Sequence, residues 1–190
     1  MALFEDVHLE DARRIIDRYP ESRQRSAIMP LLYLAQSIEG SVTREALREV
    51  GGLLDITTAE VEAVATFYTM YRLHPGGTHV VWVCTNLSCA LRGAKDVYEA
   101  ARRAAGIPLG SEVSEDGAVS VEEEECLAAC EHAPVVAVDF AYHDEVTPER
   151  MRDLIESLRR GDVPAPARGD APHDFRHASR MLAGLQGEPA

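Results

Sequence analysis

The sequence predicts an α+β chain, a helical region followed by a small sheet with helices packed on it. Three observations carry that prediction. Apolar residues recur at spacings of three and four up to about Tyr71. After Pro75-Gly76-Gly77 the pattern changes to short apolar runs in the order strand, helix, strand, strand, helix. All four cysteines of the 190-residue chain fall in this second region, as the pairs Cys84/Cys89 and Cys126/Cys130. The chain is therefore divided into a helical region at 1–74, a cysteine-bearing domain at 75–160 and a C-terminal tail at 161–190.

The first helix is predicted over 9–19, where Ala12, Ile15, Ile16 and Tyr19 share a face and Pro20 stops the run. The second spans about 27–39. Ser26 is in position to cap it, and Pro30 sits in its first turn, where a missing N–H does least harm. Thr43 caps a third over 44–54, weakened in its second half by Gly51 and Gly52. Thr57-Thr-Ala-Glu60 is a capping box opening a fourth, with Val61, Val64, Ala65, Tyr68 and Tyr71 at helical spacing. These four helices form a bundle-like unit.

Beyond the break, 79–83 is an apolar strand that delivers Cys84 at its end. A helix starting at Ser88 or Cys89 runs through Leu91, Ala94, Val97, Tyr98 and Ala101, with Arg102 and Arg103 complementing the dipole of its last turn. Strands follow at 118–121, leading to Cys126, and at 135–139, leaving Cys130. Thr147-Pro148 opens a last helix through Met151, Leu154, Ile155 and Leu158. From Gly161 the chain is rich in Pro, Gly, Ala and charge. Apart from a short helical pattern at 175–185, it is expected to become ordered only on a partner.

A net charge of -13 argues against nucleic acid or an anionic membrane surface as partner, since both are polyanions. No apolar run approaches the roughly 18 residues of a membrane span, so direct membrane insertion is not expected. The N-terminus has no basic stretch ahead of an apolar one, which predicts a cytoplasmic chain. In that reducing compartment paired cysteines read as metal ligands before disulfides.

The spacings C-x4-C and C-x3-C put four thiols within reach of one centre, and both pairs fall on turns beside strands. A 2Fe-2S cluster and a structural zinc both suit four thiolates, and spacing alone leaves the two open. A thioredoxin-type dithiol is set aside because no C-x2-C exists. His132 lies near the second pair in sequence, but a mixed His/Cys centre would leave a cysteine spare. A 2Fe-2S centre is anionic and becomes more so on reduction, so backbone N–H groups must face it. Glutamates at 122–125 and Glu131 flank the second pair; carboxylates near a cluster disfavour its reduced state. The chain has no G-x-G-x-x-G after a strand, no Walker A loop and no G-x-S-x-G, so no catalytic residue is assigned and hydride chemistry is expected of a partner chain.

Three stretches carry a family resemblance: Ala27-Ile-Met-Pro-Leu-Leu with Leu34-Ala-Gln36; Glu62-Ala-Val-Ala-Thr-Phe-Tyr-Thr-Met70; and the cysteines with Arg92-Gly93, Glu125-Cys126-Leu127 and Ala133-Pro134-Val135. Over about residues 15–158 the chain resembles the small 2Fe-2S subunit of respiratory NADH:quinone oxidoreductase (complex I), the NuoE type of the thioredoxin-like 2Fe-2S ferredoxins. The resemblance implies a thioredoxin-like domain in which Cys84, Cys89, Cys126 and Cys130 hold one 2Fe-2S cluster. It also implies a larger partner subunit bearing FMN and NADH, from whose FMN the cluster accepts an electron, within a peripheral arm on the cytoplasmic face that holds other subunits. An equivalent subunit of an NAD-linked hydrogenase or formate dehydrogenase is the alternative within this class; a zinc-stabilised interaction module is the alternative outside it. Phe67, Tyr68, Met70 and Tyr71 are candidates either for partner contact or for core packing. Ala128 stands where this family usually has glycine, a departure that matters only if the backbone there needs positive φ.

Overall fold

The computed structural model describes residues 3–186 and opens with four helices: α1 (Asp6–Ile16), α2 (Ile28–Glu39), α3 (Arg44–Leu54) and α4 (Thr58–Phe67). Helix α1 ends at Ile16 rather than Tyr19 because its last turn tightens, with Arg18 and Tyr19 donating to the carbonyls of Ile15 and Ile16. Ser26 does not cap α2. It lies in a 3-10 turn (Glu21–Ala27), and Ala27 takes the capping position without a side-chain bond. Thr43 Oγ1 accepts the Ala46 N–H at the head of α3. The capping box of α4 is complete: Thr57 Oγ1 accepts from the Glu60 N–H and Glu60 Oε2 from the Thr57 N–H. Gly51, a poor helix former, has a reason to be there. A Cβ on it would meet the Ile56 carbonyl oxygen at 3.0 Å, where the chain turns back tightly after α3.

Eight elements follow: β1 (His79–Cys84), α5 (Leu87–Leu91), α6 (Ala94–Ala105), β2 (Val119–Glu124), β3 (Val136–Val138), β4 (Ala141–His143), α7 (Pro148–Arg159) and α8 (Phe175–Leu182). The sheet order is β2-β1-β3-β4, with β1 parallel to β2 and antiparallel to β3, and β3 antiparallel to β4. The single helix expected after Cys84 is two, because Gly93 turns the chain at φ 88. Strand β4 has no counterpart in the sequence pattern; Asp139 and Phe140, at φ 49 and 69, fold β3 back into it.

The chain separates into two compact units, one holding the residues up to Pro75 and those from Arg176, the other Gly76–Phe175. In the first, α2 is buried on nearly every side, and its Gln36 is satisfied by the Met70 carbonyl, the Arg72 N–H and Ser179 Oγ. In the second, the valines of β1, β2 and β3 on one sheet face pack with α6 and α7, while Val80, Trp82, Ala137 and Phe175 form a cluster of their own. His143 is buried there, and desolvation, with Arg150 adding to it, lowers its pKa to about 4.

The described part of the stretch beyond Gly161, expected to lack order without a partner, is instead built into the chain's own units; residues 187–190 lie outside the described residues. Within the first unit, Arg180 pairs with buried Asp11 at 2.7 Å and Arg18 holds the carbonyls of Ala183 and Gly184. Within the second, the Ala167 N–H donates to the Tyr142 carbonyl. Apolar residues too sparse to read as a core in sequence, such as Phe175, Ala178 and Ala183, are buried. Among the described residues no helix is long and apolar enough to cross a membrane.

Candidate metal centre

Strand β1 sits inside the sheet and delivers Cys84 to its end. The Cys84 N–H donates to the Val135 carbonyl at 3.1 Å and the next N–H, on Thr85, to the Glu124 carbonyl at 2.9 Å, so this cysteine is pinned on both sides. Asn86 Oδ1 then accepts the Leu87 N–H and heads α5, which carries Cys89. Both cysteines are buried among Ala94, Ala129, Ala133 and Val135. Burial pushes the Cys89 thiol up to about 11; the Val135 N–H opposes that shift, while Cys84 and Cys130 add to it. The Cys84 side chain is thus a hydrogen-bonding neighbour of Cys89, and Cys130 is near enough to act on it electrostatically.

The second pair lies on the loop after β2. Cys130 begins a 3-10 turn (Cys130–His132), and both Cys126 and Cys130 are exposed. The Ala128 N–H donates to Cys126 Sγ at 3.4 Å, and Cys84 Sγ lies 3.8 Å from the Glu125 carbonyl. Among the described residues no three His, Cys, Asp or Glu side chains meet in a closed cation site. The donor set nevertheless fits a 2Fe-2S centre: soft sulfurs, an apolar shelf, and backbone N–H groups aimed at the sulfurs of Cys89 and Cys126.

His132 is half-exposed, with Glu131 at 3.9 Å. In the glutamate run, Glu122 accepts from Trp82 Nε1 at 3.2 Å and Glu124 sits opposite Cys84 in the parallel register. Tyr71 is buried and donates to the Met29 carbonyl, whereas Phe67 is 75% exposed. Ala128 adopts φ 55, the left-handed conformation that the usual glycine would take without strain. Sequence reasoning missed Val135 as a donor and Tyr142, whose hydroxyl donates to the Leu127 carbonyl at 2.9 Å. Neither had a local signal, since both act across long sequence separations.

A family model for thioredoxin-like 2Fe-2S ferredoxins matches residues 12–159, which span the sheet, its helices and all four cysteines. The chain belongs to the thioredoxin-like 2Fe-2S ferredoxin family. Its relatives include E-type subunits of NADH-quinone oxidoreductase. The one from Mycobacterium tuberculosis is 45% identical over 175 residues, 92% of this chain and 68% of the relative. That from Rickettsia bellii is 40% identical over 157 residues, 82% of this chain and 93% of the relative. An NAD+-reducing NiFe-hydrogenase structure, 19% identical, superposes with a TM-score of 0.61 over 70% of this chain and 23% of its own, a likeness of fold alone. The α+β fold of the thioredoxin-like 2Fe-2S ferredoxins, with helices preceding the sheet, is thus the one that the sequence predicts.

Proposed function

We propose that the chain is an electron-transfer subunit of an NADH-quinone oxidoreductase and that Cys84, Cys89, Cys126 and Cys130 hold one 2Fe-2S cluster. The observation that carries this reading is the cysteine arrangement itself: a buried pair, Cys84 at the end of β1 and Cys89 on α5, with Cys130 of the loop pair near it, in a chain 40–45% identical to E-type subunits of that enzyme. The cluster supplies a site that takes up and passes on one electron at a time. The chain's part is to hold and shield it. Apolar residues around Cys84 and Cys89 keep water from two of the sulfurs, and the N–H groups of Val135 and Ala128 offset sulfur charge.

The electron comes from FMN on a partner subunit that also binds NADH, a division of labour supported by the missing nucleotide motifs in this chain. The assembly is the peripheral arm of a membrane-bound complex, on its cytoplasmic face. Anaerobic purification of the full chain tests the reading. Matching iron and acid-labile sulfide, visible charge-transfer absorption and a paramagnetic signal on reduction are expected. A colourless protein with one zinc overturns it. Co-purification with an FMN-bearing subunit and a quinone-reducing arm fixes the host complex; a hydrogenase or formate-oxidising module in their place overturns that assignment.

A further inference from the structure

We propose that Tyr142 is a positioning residue for the cluster: its hydroxyl holds the peptide between Leu127 and Ala128 so that the N–H end of that peptide points at Cys126 Sγ. The inference rests on the proposed function. A peptide unit is a rigid plane, so fixing its oxygen fixes its N–H. Here the oxygen end accepts from Tyr142 Oη at 2.9 Å and the nitrogen end donates to Cys126 Sγ at 3.4 Å. Ala128 pays for this orientation with φ 55, which its Cβ disfavours, and such a conformation persists only where the surroundings hold it. In the loop between Cys126 and Cys130, Leu127 and Ala129 pack inward, whereas both cysteines and Ala128 are exposed, so packing of Ala128 itself does not hold its conformation.

Tyr142 is itself held. The Arg168 guanidinium lies 5.0 Å from its ring centroid, with both arms on the Asp144 carboxylate at 2.9 and 3.0 Å, and the Ala167 N–H bonds the Tyr142 carbonyl at 2.7 Å. The stretch beyond α7 therefore acts as a strap that keeps the tyrosine over the loop. An N–H aimed at a ligating sulfur favours the more negative, reduced cluster. Losing it lowers the reduction potential and loosens iron.

The test uses the full chain as wild type, Tyr142→Phe, Arg168→Gln, and Tyr142→Phe combined with Ala128→Gly, reading the midpoint potential and the rate of iron loss to a chelator. Tyr142→Phe is expected to lower the potential and speed iron loss by about two- to tenfold, the worth of one hydrogen bond. Arg168→Gln shifts both readings the same way by less. Adding Ala128→Gly, which takes the left-handed conformation without strain, returns both toward wild type. Unchanged potential and iron loss in Tyr142→Phe overturn the positioning role. A defect that Ala128→Gly leaves unrecovered marks general damage and overturns it too. A wild-type chain that binds no cluster overturns the proposed function and this inference together, whereas an intact wild-type cluster beside an indifferent Tyr142→Phe overturns only this inference.

Discussion

The two cysteine pairs are held by different means. Cys84 and Cys89 are buried and fixed by regular structure, one by bonds on either side of a central strand, the other on α5 against alanines and a valine. Cys126 and Cys130 are exposed on a loop with a strained alanine, tethered by the Tyr142 hydroxyl and by the inward packing of Ala129. The first half of the site is prepared by the fold; the second depends on a few specific bonds. Under the proposed function, a buried scaffold and an exposed loop share one centre.

The sharpest way to break this contrast is to remove one sulfur from each side. Cys89→Ser and Cys126→Ser should both abolish the normal visible spectrum, but only Cys89→Ser should also destabilise the iron-free protein, by about 1–3 kcal/mol in denaturant unfolding, because it buries a hydroxyl in an apolar pocket. Next is thiol alkylation of the iron-free chain followed by mass spectrometry. Cys126 and Cys130 should react first and Cys89 roughly a hundredfold more slowly at neutral pH, since the thiolate is the nucleophile. With its thiol pushed up to about 11, the rate at Cys89 should keep rising as the pH climbs toward that value. The smallest effect concerns charge. Replacing the glutamates at 122–125 by glutamine should raise the midpoint potential by on the order of tens of millivolts in low salt, and by less at high ionic strength. An unchanged potential at low salt would show that these carboxylates do not act on the cluster.

Much of the scaffold was legible because its signals are local. Thr43, Thr57 with Glu60, and Thr147 each cap the helix that their spacing predicts, and β1 ends in Cys84 because an apolar run leads into it. What was not legible depends on distant partners. Apolar periodicity continues across Arg92-Gly93, so the turn that splits α5 from α6 is hidden behind a helical pattern. Strand β4 is only three residues long and exists because β3 offers it an edge. Residues 162–186 have a composition suited to disorder, yet Arg180 and Arg168 in them form ion pairs to Asp11 and Asp144, far away in sequence. At the site, the cysteine types and spacings were readable, whereas the left-handed Ala128 and its tether through Tyr142 are tertiary facts.

The parallel pairing of β1 with β2 also dictates an order of assembly. Parallel neighbours cannot be joined by a tight turn, and here α5 and α6 form the crossover between them. A chain emerging from the ribosome exposes Cys84 and Cys89 long before Cys126 is made, and the loop-closure entropy of that crossover must be overcome before the two pairs can meet. Under the proposed function, the four sulfurs therefore come together only once this crossover has closed and β2 has paired with β1.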